Sequence, residues 1–188
     1  MSTAAIDAPR PSRVGAPVAV AGVVALALRP WAPAALGTTG LWLGALYVAI
    51  LVGSVAVPGV RDRLRMPVWL VGSFGLVGIM VAAVAAGRPL PATAGGTVWL
   101  SFTILASVAE EACFRKVVYD ELGRAGVAVA IAGSALLFAA IHIPMYGAAA
   151  FPVDLGAGLL LSWQRWASGT WTVPAATHVA ANLLAVMR

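Results

Sequence analysis

Residues 125–145 read AGVAVAIAGSALLFAAIHIPM, a run without a single Asp, Glu, Lys or Arg. A helix needs about 20 such apolar residues to cross a bilayer, and this run has that length. Comparable runs lie on both sides of it, at 14–28, 34–57, 66–86, 95–114, 151–164 and 171–187, separated by Arg, Pro and Gly. The second to fifth runs suit full crossings. The first, sixth and seventh are shorter, and imply tilted or partial spans or extension into their flanks. The expected fold is all-α: a polytopic transmembrane helix bundle of about seven helices around an intramembrane polar cavity. Residues 1–13 read as a flexible N-terminal tail, and 14–188 as one transmembrane domain.

Composition agrees. Of the 188 residues, 61% are hydrophobic and 10% charged, with mean hydropathy +0.94. Soluble domains are about half apolar and a quarter charged. Arg10 and Arg13 precede the first run, and Ala25-Leu26-Ala27 resembles a signal-peptidase site. An uncleaved first helix is nonetheless the usual start of a polytopic chain. The single Cys113 excludes an internal disulfide and a multi-cysteine zinc site. The net charge of +5 comes mainly from arginines between apolar runs. That pattern belongs to loop charge setting membrane orientation, and no nucleic-acid partner is expected. With the N-terminus inside, nine Lys and Arg fall on inside segments and three on outside segments, Arg29 among the latter. The N-terminus is therefore expected in the cytoplasm.

Ionisable residues within apolar runs are costly and face cavities or one another. Here they are Glu110, Glu111, Arg115, His142, Asp154 and His178, joined by the polar Asn182. Glu111 and Arg115 are four apart, so they share a helix face and can pair. Glu110 points about 100° away. One carboxylate can thus be structural while the other handles protons. His142 closes its run just before Pro144, which is expected to break or kink the helix there. His178 and Asn182 share a face of the last run, with a partner expected on another helix. Singly, each feature also suits a charged helix end, an interfacial histidine or interhelical hydrogen bonding. Gly72, Gly75, Gly78, Gly156 and Gly158 read as close helix packing.

Together these groups could hydrolyse an amide. A carboxylate can activate water and a histidine can assist. A second histidine with an asparagine can donate to the developing oxyanion. Alternatively, Glu110, His142 and His178 plus water could hold zinc. The residues leave both readings open, with no organic cofactor indicated. No His-Glu-x-x-His pair and no serine nucleophile accompany them.

Three segments, Glu110-Glu111-x-x-x-Arg115, Phe138-x-x-x-His142 and His178-x-x-x-Asn182, resemble the signature motifs of the CPBP family. These are intramembrane proteases named for CAAX prenyl protease and bacteriocin processing, also called Abi. Ser168-Gly-Thr-Trp-Thr-Val-Pro174 resembles the lead-in to the third motif. The resemblance spans roughly 95–187. It implies a peptidase in the plasma membrane of a bacterium, meeting lipids and a peptide or protein substrate, prenylated in the CAAX-type members. By position, Glu110 would activate water, His142 would assist, and His178 with Asn182 would form the oxyanion site. Glu111 and Arg115 would support them. The family has been described both as metalloproteases and as glutamate proteases, and the glutamate mechanism is the expectation for this chain. The short stretch beyond Asn182 departs from a family core with a further helix. A non-catalytic immunity or scaffold protein, or a small proton-coupled transporter, are the competing functions.

Overall fold

The computed structural model describes residues 14–31, 39–60, 65–85 and 97–186. The tail 1–13 lies outside them. Seven helices make up the described fold: α1 (Gly15–Leu28), α2 (Thr39–Ala56), α3 (Val68–Ala85), α4 (Thr97–Glu111), α5 (Val127–Tyr146), α6 (Phe151–Ser168) and α7 (Thr172–Val186). α4 does not stop at its acids. It runs on through a π-helical stretch, Ala112–Val118, into a last turn at Tyr119–Leu122. Among the described residues there is no strand.

The distribution of polarity is inverted relative to a water-soluble bundle. Val20, Val52, Trp69, Phe74, Val77 and Met80 face outward, while Ser107, Glu111, Arg115, Ser134 and Gln164 are fully enclosed. Lipid tails are as apolar as the leucine side chain, so outward hydrophobes carry no penalty in a bilayer. Polar groups must then find one another inside. Val127–Tyr146 is the one helix among the described residues long and apolar enough to cross a membrane. Gly15–Leu28, Gly40–Ala56 and Val68–Val81 are shorter apolar helices.

α4 and its π continuation form the axis, touching α1, α2, α5, α6 and α7. Leu26, Tyr47, Ile50, Cys113, Phe114, Phe138 and Ile141 pack there as one core from α1, α2, α4 and α5. A smaller core of Val71, Ala167 and Val173 joins α3, α6 and α7. Glycines admit the closest approaches. A Cβ on Gly158 would lie 3.0 Å from the Ala135 backbone, so α5 and α6 meet main chain to main chain. Gly75 and Gly78 likewise face Gln164 and Leu160, whereas Gly72 and Gly156 have nothing within 4 Å. The packing expectation thus holds for three of the five.

Pro144 does not end α5 after His142. The helix continues to Tyr146 and stops at Gly147, whose φ of 81° favours glycine. Proline removes only one helical hydrogen bond here, in the final turn, where the neighbouring carbonyls already lack helical donors.

Candidate active site

The two adjacent glutamates enter separate ion pairs. Glu111, wholly buried, lies 3.1 Å from Arg115 Nη1, one turn on. The π-helical turns between them bring residues four apart closer to vertical alignment than an α-helix does. The Arg115 guanidinium also donates to the Gly158 carbonyl at 3.2 Å and lies 4.5 Å from the Phe138 ring centroid. The opened turn exposes carbonyls sideways: Ser134 Oγ donates to Phe114 O at 3.0 Å, and Arg165 Nε to Arg115 O at 2.9 Å. Main chain and side chain of Arg115 are therefore both held.

Glu110 projects elsewhere, as its position predicts. Its Oε1 is paired with Arg29, and its Oε2 lies 3.8 Å from His142 Nε2. Arg29 is 4% exposed and also reaches Tyr47 OH at 3.2 Å and Met145 Sδ at 2.9 Å. The loop-charge reading of Arg29 is therefore corrected. It sits just beyond α1, and its side chain turns back into the bundle. Arg115 and Arg165 are equally buried, so they too are structural rather than loop charges.

The two histidines are held alike. His142 Nδ1 donates to Phe138 O at 2.7 Å, and His178 Nδ1 donates to Glu111 Oε1 at 2.9 Å. Each ring is thereby oriented with Nε2 left over for other work. Phe138 lies between them, 4.6 Å from His142 and 5.7 Å from His178 by ring centroids. Tyr146 stacks on the other side of His142, its ring parallel to within 8° and 5.8 Å away. Asn182 Nδ2 donates to Ser107 Oγ at 2.9 Å, and Ser107 in turn donates to Thr103 O. The partners expected for His178 and Asn182 on another helix are thus Glu111 and Ser107, both on α4.

Glu110, Glu111, Arg115, His142, His178 and Asn182 gather on the inner faces of α4 with its π continuation, α5 and α7, but in three contacts rather than one closed cluster. These are Glu110 with His142, Glu111 with His178 and Arg115, and Asn182 with Ser107. Among the described residues no group of three His, Cys, Asp or Glu side chains converges to hold a metal ion. The set Glu110, His142 and His178 is accordingly split by its other partners, Glu110 toward Arg29 and His178 toward Glu111.

Sequence alone does not mark Arg29, Tyr47 or Ser107 as site residues. Only Ser107 leaves a trace there, sharing a helix face with Glu111 at i, i+4. Asp154 opens α6, and its Oδ2 is buried without a hydrogen-bond partner among the described residues. A cavity of about 350 Å³ lies apart from the site, lined by Lys116, Asp120, Arg165 and Trp171 among others. There Arg165 pairs with Asp120 at 2.9 Å, and Lys116 donates to the Ser54, Val55 and Val57 carbonyls that end α2.

No curated protein and no solved structure shows significant similarity to the chain. A family model, described as type II CAAX prenyl endopeptidase Rce1-like, matches residues 93–184. The match begins two residues before the resembling segment and takes in every motif residue from Glu110 to Asn182. The match, over just under half of the chain, supports the resemblance of residues 93–184 to the CPBP family, a family of membrane proteins.

Proposed function

We propose that this protein is an intramembrane endopeptidase of the CAAX type, cleaving a peptide bond in a membrane-presented, prenylated substrate by a glutamate-activated water. Glu110 is the base. It takes a proton from water as the oxygen attacks the scissile carbonyl, then returns that proton to the departing amine. His142, with Nε2 turned toward Glu110, hydrogen-bonds the water and assists the transfer. Asn182 spends one amide hydrogen on Ser107 and has a second for the oxyanion. His178 donates from Nε2 when its ring carries both protons, with Nδ1 held on Glu111. Glu111 and Arg115 keep that ring in place.

One observation carries this reading. Neighbouring glutamates each have an arginine and a histidine but use them differently: Glu111 gathers Arg115 and His178 on one oxygen, whereas Glu110 gives Oε1 to Arg29 and leaves Oε2 3.8 Å from an unused ring nitrogen of His142. Two carboxylates set apart by their surroundings are how one site gains a structural acid and a working one.

The test uses a quenched fluorescent peptide bearing a farnesylated cysteine four residues from its C-terminus, with purified protein in detergent. Glu110→Gln is expected to lower kcat by about 10²–10⁴-fold, the usual worth of a general base. His178→Ala is expected to lower it by about 10²–10³-fold, typical of an oxyanion donor. Elution volume and thermal melting confirm that both variants fold. Full activity in both would overturn the proposal.

A further inference from the structure

Among the described residues, Glu110 is the one motif residue whose charged partner lies outside the family-matched segment. The partners of Glu111, His142 and Asn182 all fall within 93–184. Arg29 does not, and neither does Tyr47 behind it.

The Arg29 side chain crosses from the end of α1 to groups on three other helices. Its Nη1 meets Glu110 Oε1 and, at 3.2 Å, Tyr47 OH, and its Nε meets Met145 Sδ at 2.9 Å. Filling this space calls for no charge. Buried ion pairs contribute little net stability, and apolar residues of similar volume usually serve packing as well. What the guanidinium does accomplish is geometric. Holding Oε1 stops the carboxylate from turning about its last bond, and the other oxygen then stays toward His142, 3.8 Å from Nε2. Neither Tyr47 nor Met145 can supply that hold, because neither presents a cationic donor to the carboxylate. A general base must sit within hydrogen-bond reach of the proton it takes, and small misplacements cost heavily.

We propose that Arg29, braced by Tyr47 and Met145, is a positioning residue for Glu110, committing Oε1 so that Oε2 beside His142 receives the proton from water. This role rests on the assignment of Glu110 as base. It makes α1 and α2, both outside the family-matched segment, working parts of the site. Arg29 itself acts through Glu110 and touches neither water nor peptide in the reaction.

The full-length chain is assayed with the same farnesylated peptide as Arg29→Gln, Arg29→Lys, Tyr47→Phe and Glu110→Gln. Arg29→Gln is expected to lower kcat by about 10- to 100-fold, the scale of a misplaced catalytic group, with KM nearly unchanged. Arg29→Lys should recover part of that loss, since an ammonium still holds one oxygen. Tyr47→Phe should lower kcat less, again without a change in KM. Wild-type kcat in Arg29→Gln alongside inactive Glu110→Gln would overturn the positioning role and leave Glu110 as base. A Lys variant no better than Gln, with kcat and KM shifted together, would reduce Arg29 to a structural residue and also overturn the role. Should Arg29→Gln fail to fold by melting and elution, Tyr47→Phe decides: lower kcat at constant KM supports the role, and unchanged kcat overturns it. Activity in Glu110→Gln is the separate outcome that removes the base itself, and the role of Arg29 with it.

Discussion

Asn182 Nδ2 donates to Ser107 Oγ at 2.9 Å, one turn along α7 from the His178 contact with Glu111. Ser107 and Glu111 are also one turn apart on α4. Two i, i+4 pairs thus face each other as a two-rung ladder between helices. Each rung steadies the other, because rotating or sliding α7 would break both. Hydrogen bonds between membrane helices average about 0.6 kcal/mol in double-mutant cycles. A cycle of Ser107→Ala, Asn182→Ala and the double variant, followed by unfolding in detergent, is expected to return a coupling near that value. No coupling would mean that Asn182 does not depend on Ser107.

The two glutamates should differ in stability as well as in activity. Glu111→Gln strips the counter-ion from Arg115, which is wholly buried. Breaking such a pair costs about 3–5 kcal/mol. Glu110→Gln also removes a charge, but Arg29 keeps Tyr47 and Met145, and the new amide oxygen can still accept from it. Thermal melting is expected to place Glu111→Gln well below Glu110→Gln. Equal melting temperatures would contradict the division between a structural and a working acid.

Gly158 and Gly156 make a matched pair on one helix. A methyl group at Gly158 would press on the Ala135 backbone at 3.0 Å, while at Gly156 nothing lies within 4 Å. Gly158→Ala is expected to destabilise by about 1–3 kcal/mol, the range for overpacking. It should also shift the carbonyl that receives Arg115. Gly156→Ala should stay within about 0.5 kcal/mol of wild type. Chemical denaturation of both variants in the same detergent checks the contrast.

Cys113 offers a built-in reporter. It is 1% exposed and faces α1, with its Sγ 2.7 Å from where a Cβ on Gly22 would stand. A water-soluble maleimide is expected to leave it unlabelled in the folded protein and to label it fully after unfolding. Gly22→Ala should push α1 from α4 and speed labelling. Rapid labelling of folded wild type would refute the seating of α1 against Cys113.

The helices are legible because apolar runs are long and their interruptions sharp. All seven runs contain the observed helices to within a few residues, except the fourth and sixth, which extend past their runs at Arg115 and Arg165. A charged residue reads as the end of a span, but in both cases the charge is buried and the helix goes on. The same signal misplaces Arg29. An arginine at the end of an apolar run looks like a loop, and its partner Glu110 is 81 positions away. Pro144 does not mark the end itself, because proline forbids one hydrogen bond rather than a whole helix, and α5 runs two residues past it before Gly147 stops it. The motif residues are legible as a set because so few polar groups interrupt the apolar runs. Their pairing is less so. The i, i+4 spacing of Glu111 and Arg115 announces their contact, whereas the seat of Asn182 on Ser107 depends on how α4 and α7 cross.

The widened coil at Ala112–Val118 has a consequence for how this chain can change in length. Such a segment holds roughly one residue more than a regular helix of the same rise. Deleting one of its residues would let the main chain close into a regular α-helix of nearly the same rise, so the register downstream would survive while the widened turn would not. The Phe114 and Arg115 carbonyls, which the widened turn presents to Ser134 and Arg165, would return to the helical ladder, and both contacts would be lost. Single substitutions in this segment are local events, but a three-nucleotide loss from its coding sequence would cut its ties to α5 and α6 together.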